Sequence, residues 1–373
     1  MKLFLLFIFC STFFLTSFSQ RDHSHKLERS LSFPDIPGYK TLKCDLHQHS
    51  VFSDGSVWPS IRVMEALKDG LDAISITEHI EYQPHKTDIP HPDRNRSYAI
   101  AIEEAKGHNL IIINGSEITR KMPPGHCNAI FLSDANKLLV SDSMEVFRRA
   151  KKQGAFIFWN HPDWLRQRPD GVATLTDMHR KLLKENLLDG IEVVNEHTYS
   201  DEALQIALDN NLTIMGTSDI HGLIDWEYGV PKGGHRPITL VFAKERTSES
   251  IKEGLMNRRT VAFYKNILIG REEFLMPLIN ASLKIDSAKY ISNSNVLTVQ
   301  LENTSSTEFT LQNRSEFTFR DHTDIVTIKP QGKHLMQIKT LQRLSSVELK
   351  FEVLSAVYAP GKHPVATLRA TVN

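Results

Sequence analysis

From Leu42 to about Glu273, short apolar runs alternate with amphipathic stretches. The apolar runs predict strands at 42–47, 73–77, 110–114, 129–132, 155–159, 190–194, 213–216 and 238–242. Between them, apolar positions recurring at helical spacing predict helices at 58–68, 96–106, 143–153, 175–187, 201–209 and 248–257. Ser141 or Ser143 can cap the third of these, and Gly70, Gly107, Gly154 and Gly190 follow helices as stops. Strand–helix alternation repeated this often calls for a parallel sheet, most economically closed into a barrel over 41–273. After Arg271-Glu272-Glu273 the pattern changes to runs at 296–301, 308–311, 325–328, 347–353 and 366–372, separated by Ser, Asn, Thr, Pro and Gly. That spacing predicts a small all-β sandwich over 275–373, contributing stability or attachment and no catalytic residue. Asp321-His322 there reads as a polar turn.

Residues 1–19 carry Met-Lys, an apolar run from Leu3 to Leu15 and a small-x-small ending at Ser17-Phe18-Ser19. The run is short for a bilayer span and reads as a signal peptide, with an uncleaved anchor as the alternative. A secreted or periplasmic protein with no membrane span in the mature chain is the expectation. Residues 20–40 form a polar arm, where His23 and His25 lack a carboxylate or Cys partner. Loss of the leader removes Cys10 and leaves Cys44 and Cys127, read as two buried thiols. Lys+Arg and Asp+Glu balance at 44 each over 373 residues, so bulk charge recruits no polyanion and nucleic acid is not an expected partner.

The chemistry lies in where the polar residues interrupt this pattern. His47 and His49 close the first strand two residues apart, hence on one face. Asp54 lies in the loop after them, His79 ends the second strand, and Glu117 follows the third. His126 precedes the fourth strand, His161 ends the fifth, and Asp219 and His221 follow the seventh. Nearly all sit at the C-terminal ends of strands, where barrel enzymes assemble their sites, so six His and three acids would meet at one mouth. A lone His is more often a hydrogen-bonded core residue, but this joint pattern points to metal. Nitrogen and oxygen donors without Cys suit Zn, Mn or Fe better than Cu(I) or an iron–sulfur cluster.

The segments Asp45-x-His47-x-His49-Ser50-x-x-Ser53-Asp54-Gly55, Thr77-Glu78-His79, Gly115-Ser116-Glu117-Ile118, Asn160-His161-Pro162 and Ser218-Asp219-x-His221 resemble successive motifs of the polymerase and histidinol phosphatase (PHP) superfamily. More narrowly, Gly55-Ser56-Val57-Trp58-Pro59, His79-Ile80-Glu81-Tyr82-Gln83-Pro84-His85, Met122-Pro123-Pro124-Gly125-His126 and His235-Arg236-Pro237 resemble secreted Sb-PDE-type bacterial phosphodiesterases. The resemblance implies an α/β fold, a distorted (β/α)7 barrel followed by the β domain, with three divalent ions in a trinuclear site. One ion would take His47, His49, Glu117 and Asp219; a second Asp54, His79 and His221; a third Glu117, His126 and His161, with Glu117 bridging. Asp54 stands where other members can carry His.

Such a site suits a compact anion. The resemblance implies a hydrolase acting on small organic phosphodiesters, with a metal-bound hydroxide attacking phosphorus. A histidinol-phosphatase-like phosphomonoesterase is the alternative, and a noncatalytic metal-binding secreted protein a further one. An amidohydrolase-like enzyme would use a bridging Lys where this chain has Glu117. Arg236 and His235, just before the last barrel strand, are the candidates to hold phosphate oxygens or protonate the leaving group, ahead of Arg120 and His197. Asn195 and Asn160 would orient ligands, Asp45 would hold His47, and Glu81, Tyr82, Trp164 and Trp226 would line the mouth or pack its loops.

Overall fold

The structure, a computed structural model, describes residues 29–321 and 323–372. The leader, His23, His25 and His322 lie outside the described residues. The first domain contains β1 (Lys40–Asp45), α1 (Pro59–Lys68), β2 (Ala73–Ile76), α2 (Arg96–Glu104), β3 (Ile111–Thr119) and β4 (His126–Ile130). It continues through α3 (Glu145–Lys152), β5 (Phe156–Trp159), α4 (Asp177–Lys184), β6 (Gly190–Asn195), β7 (Thr198–Tyr199), α5 (Asp201–Asp209) and β8 (Thr213–Thr217). It ends with α6 (Ile224–Glu227), β9 (Ile238–Ala243), α7 (Ser248–Met256), β10 (Thr260–Tyr264), β11 (Ile267–Gly270) and α8 (Glu272–Ser282).

These strands form one curled sheet in the order β11-β10-β9-β1-β2-β3-β4-β5-β6, with β8 beside β6. The curl closes where β8 meets β9 and β10. The seam is tied by side chains: Thr239 Oγ1 accepts from Gly216 N and donates to Gly216 O, and Thr260 Oγ1 donates to Ile214 O. A Cβ on Gly216 would stand 2.8 Å from that of Ala262, so only glycine permits this approach.

The distorted barrel expected from sequence is observed, but its sheet is not all parallel. β4 runs antiparallel to both neighbours, and β9, β10 and β11 alternate in direction from β1 onward. Residues 120–125, the only link between β3 and β4, are too few for a crossover helix, so the chain can only turn back. β10 and β11, absent from the sequence expectation, form a hairpin about Lys265 and Asn266, both at positive φ. Reversal of β4 puts its first residue, His126, at the same sheet edge as the last residues of β1, β2, β5 and β8.

The arm is less detached than its polarity predicts. Leu31 and Ile36 are buried, Phe33 packs edge-on against Phe263 at 5.0 Å, and Arg29 pairs with Asp69 and Asp225. Cys44 and Cys127 are both buried and free, as expected.

The C-terminal strands are β12 (Leu283–Tyr290), β13 (Val296–Asn303), β14 (Phe309–Asn313), β15 (Thr318–Phe319) and β16 (Ile325–Ile328). β17 (Lys333–Lys339), β18 (Ser346–Val353), β19 (Ala356–Val357) and β20 (Val365–Thr371) complete them. Two antiparallel four-stranded sheets, β12-β13-β17-β15 and β16-β14-β18-β20, form the expected sandwich. Buried positions alternate along β13 and β18, which places one face of each on the core. β19 leaves the sandwich and pairs in parallel with β11, extending the barrel sheet. One apolar cluster runs from Phe242 and Leu268 through Leu278 and Ile279 of α8 to Leu297 and Phe351, so the two domains share a core. Among the described residues, no helix is long and apolar enough to cross a membrane.

Candidate metal centre

Beyond β1 the chain stays extended: Gln48 bridges Ile220, and His49 N donates to Ile220 O at 3.0 Å. His47 and His49 thereby face one side. The loop then doubles back, with Ser53 N and Gly55 N both donating to Ser50 O. A Cβ on Gly55 would stand 2.8 Å from the backbone of His49 and Ser50, so glycine allows the turn that brings Asp54 over His49. β3 continues beyond the sequence-expected end, and Glu117 meets His79 in a bridge. His161, Glu196 and Asp219, just past the ends of β5, β6 and β8, all adopt positive φ (28°, 47° and 47°), a region non-glycine residues enter sparingly.

The fold brings all nine candidate ligands together. Asp219 Oδ1 lies 3.0 Å from His47 Nε2 and 3.1 Å from His49 Nε2. Glu117 Oε1 is 2.8 Å from His126 Nδ1 and 3.6 Å from His161 Nε2. Its Oε2 is 2.7 Å from His79 Nδ1, 3.4 Å from His49 Nε2 and 3.8 Å from His47 Nε2. Asp54 reaches His221 Nε2 at 3.1 Å and His79 Nε2 at 3.2 Å. Three overlapping groups have donor atoms all within 4.8 Å: His49-Asp54-His79-His221, His47-His49-Asp219 and His79-Glu117-His126. They border a cavity of about 390 Å³.

Outer hydrogen bonds set which imidazole nitrogen faces the centre. His47 Nδ1 donates to Glu192 Oε1 at 2.8 Å and His221 Nδ1 to the Asp219 carbonyl at 2.8 Å. His49 Nδ1 lies 3.2 Å from Ser53 Oγ, and Ser50 and Ser53 are both held by the buried Glu78. His79 Nδ1 lies 2.6 Å from Thr119 Oγ1. In all four rings the Nε2 lone pair is thereby left for a cation. Asn160 Nδ2 donates to Glu117 Oε1 at 3.1 Å, and Asn195 Nδ2 to Asp219 Oδ2 at 3.2 Å, the orienting roles expected of both.

Glu192 escaped the sequence reading. Fully buried, it accepts from His47 Nδ1, Thr217 Oγ1 (2.6 Å), the His161 amide (2.7 Å) and Asn195 Nδ2 (2.8 Å). The one signal was a carboxylate inside the apolar strand Gly190-Ile191-Glu192-Val193-Val194, a position that needs partners to be tolerated.

The donor set fits divalent cations. Buried Asp54 Oδ1, Glu117 Oε2, His126 Nδ1 and Asp219 Oδ1 make no hydrogen bond although ligand-type atoms crowd them. Donor atoms that approach closely without hydrogen-bond geometry are arranged as ligands sharing an ion are.

Electrostatics carry the same message. Burial opposes a charge on His79, yet Glu117 and Asp54 push it up to about 11; burial likewise opposes His221, which Asp54 and Asp219 push up to about 9. Burial, together with His221 and His79, pulls His49 down to about 3. Against burial, the surrounding imidazoles hold Asp54, Glu117 and Asp219 well below the usual carboxylate range. Without metal, then, protons on His79 and His221 stand in for cations. Their raised values stabilise the metal-free fold fully below the unfolded imidazole pKa of about 6.5, and that contribution fades as pH rises through about 9 and about 11. A cation must displace these protons, so metal affinity should rise with pH between 6 and 9 and loading at pH 7 should release protons. Potentiometric metal titration measures both; uptake without proton release would contradict the arrangement.

Two sequence candidates are corrected. Arg236 and His235 do not line the cavity. Arg236 is buried, with its guanidinium shared between Asp69 (2.7 Å) and Asp45 (3.1 Å). Asp45 in turn accepts from Ser218 N at 3.1 Å, Ser218 Oγ at 2.6 Å and Gln48 Nε2 at 2.8 Å. Arg236 therefore braces the floor beneath His47 and Asp219, where no phosphate reaches. His235 stacks on Phe263 at 4.1 Å and donates from Nδ1 to the Arg236 carbonyl. Arg120 pairs with Glu81 at 3.0 Å and His197 with Glu227 at 2.9 Å, all outside the cavity lining. Trp226 is 82% exposed and also outside it, whereas Tyr82 and Trp164 do line the mouth, joined by Arg166 and Glu196.

A family model described as an Ig-like domain matches residues 283–369. None of the curated proteins matches the chain. Among solved structures, a two-domain protein from Bacteroides vulgatus, containing a predicted PHP-like metal-dependent phosphoesterase, is 45% identical with a TM-score of 0.85, over 91% of this chain and 98% of that one. The lesion-specific endonuclease Q of Pyrococcus furiosus is 15% identical, with a TM-score of 0.44 over 67% of this chain and 62% of its own. An inferred metal-dependent phosphoesterase from Bifidobacterium adolescentis is 18% identical, with a TM-score of 0.39 over 48% of this chain and 88% of its own.

Proposed function

The chain belongs to the PHP superfamily of metal-dependent phosphoesterases, and from that premise we propose that it hydrolyses small organic phosphodiesters at a centre of three divalent ions. The observation that carries this reading is Glu117, a buried carboxylate with imidazoles against both oxygens at the floor of an open cavity. In this reading His47, His49 and Asp219 hold one ion, Asp54, His79 and His221 a second, and His126 and His161 a third, with Glu117 shared by the first and third. The tautomers support the division: with Nδ1 of His49 and His79 engaged by Ser53 and Thr119, each ring offers Nε2 to one group.

Zn, Mn or Fe held there would supply a Lewis acid for the phosphoryl oxygens and a strong nucleophile at neutral pH. The protein's share is positional. Glu192 and Asn195 keep His47, His161 and Asp219 aligned, and Asn160 fixes Glu117. The cavity offers no uncommitted Ser, Thr or Cys as a nucleophile among the described residues, since Thr119 is bonded to His79, so direct attack by water is the favoured route. Its volume of about 390 Å³ lies at the small end of ligand pockets, which favours a small substrate over a nucleic acid. Tyr82 and Trp164 give a second organic group somewhere to rest, and Arg166 is the one Lys or Arg lining the cavity among the described residues.

The test is a paired kcat/KM comparison of an aryl phosphodiester with the matching monoester on one metal-loaded preparation. The diester should be favoured, and chelation should abolish both activities. A monoester advantage of about tenfold, roughly 1.4 kcal/mol of transition-state stabilisation, would turn the reading to a histidinol-phosphatase-like monoesterase. The motifs around Trp58, Pro84, His126 and Arg236 support a place with secreted Sb-PDE-type enzymes. Secretion or export to the periplasm predicts a mature chain beginning near Gln20, which N-terminal sequencing checks; an intact Met1 would refute cleavage.

A further inference from the structure

Apart from the candidate ligands, the cavity is lined by Tyr82, Thr119, Trp164, Arg166, Asn195 and Glu196. Two of the six are committed: Thr119 to His79, and Asn195 to Glu192 and Asp219. Arg166 lies over the Trp164 ring, its guanidinium carbon 5.6 Å from the centroid. The Glu196 carboxylate makes no hydrogen bond or ion pair among the described residues.

This freedom is built in. Glu196 holds φ at 47°, and its amide donates to Thr217 O at 3.2 Å, pinning the main chain beside the end of β8. Glu196 is exposed on the cavity lining with no internal partner, where a ligand entering the cavity can reach it.

We propose that Glu196 is a specificity-determining residue that receives a protonated amine on the alcohol portion of the substrate, with Tyr82 and Trp164 offering aromatic surface on the same cavity lining. The proposal rests on the phosphodiester reading above. Carboxylate plus aromatic faces is the chemistry that binds ammonium groups, and Arg166 already places a cation over Trp164. An anionic substituent at this place would meet the unpaired carboxylate.

The experiment uses the metal-loaded full chain and two nitrophenyl phosphodiesters, whose second ester group is aminoethyl or the isosteric propyl. Wild type should favour the aminoethyl diester by about tenfold in kcat/KM, within the range of a charge-assisted contact with aromatic support. In Glu196→Gln the ratio should fall to about one. A wild-type ratio near one, a preference that survives Glu196→Gln, or a hydroxyethyl diester favoured as strongly as the aminoethyl one would each overturn the proposal. Calorimetric binding of aminoethylphosphonate against propylphosphonate decides the same question without turnover: about tenfold tighter in wild type and equal in Glu196→Gln. Failure to cleave any diester would defeat the phosphodiester reading alone, and the phosphonate pair would still judge Glu196.

Discussion

Glu117→Gln should lower kcat/KM by roughly three orders of magnitude or more, about 4 kcal/mol of barrier, while leaving the fold intact. The residue is fully buried, and its two oxygens face His126, His161, His79 and His49 at 2.8, 3.6, 2.7 and 3.4 Å. An amide keeps the volume but removes one negative charge and turns an NH2 towards rings that need an acceptor. It offers no anionic bridge, so the protein should retain at most one of the ions proposed to share this carboxylate. Metal analysis beside circular dichroism separates this from unfolding: secondary structure stays while metal per chain and turnover fall together. A variant with full metal content and turnover would show that Glu117 bridges nothing. Asp219→Asn, at an oxygen 3.0 and 3.1 Å from His47 and His49, should behave similarly through the first of the two ions proposed to share Glu117.

Why these residues were legible from sequence and others were not has a physical basis. The candidate ligands are polar residues that interrupt apolar strands at one end, and a period-two or period-3.6 pattern locates such ends well. Even His126 was found, although the strand it opens runs opposite to the expected direction, because nothing in strand periodicity encodes direction. Glu192 was hidden because its partners, His47, His161 and Thr217, reach it only after the sheet curls. Arg236 misled for the complementary reason. An Arg beside a His at the end of a loop suits phosphate, but Asp45 and Asp69, more than 160 residues earlier in the chain, claim its guanidinium first. Its proper effect is indirect: it neutralises the buried carboxylates of Asp69 and Asp45, the latter holding Ser218 and Gln48 in place by hydrogen bonds. Glu196 and Arg166 lie in loops, where no period marks which side chains turn inward.

Deleting residues 283–373 should leave no folded barrel, although that segment supplies none of the candidate ligands. The change of pattern near residue 274 reads as a boundary between separable domains, but the chain crosses back over it. β19 pairs in register with β11, Leu268 to Ala356 and Ile269 to Val357, and Leu268 N donates to Ser355 O at 3.0 Å. Thr307 Oγ1 donates to Asn266 O at 2.9 Å, tying the sandwich to the β10–β11 turn as well. Truncation would uncover that strand edge together with Leu268, Leu278 and Ile279, each fully buried in the shared core. At about 1.5–3 kcal/mol for each large aliphatic side chain, these three alone amount to roughly 5–9 kcal/mol, comparable with the whole net stability of about 5–15 kcal/mol typical of a domain. A bare, apolar edge strand also invites pairing between chains, so the truncated protein should aggregate. Val357→Asp in the full chain is the finer probe: a charge on the inserted strand should lower Tm by several degrees while the metal content of the folded fraction stays unchanged. A soluble truncated barrel that melts like the full chain and binds the same metal per mole would show that β19 merely rests on the sheet.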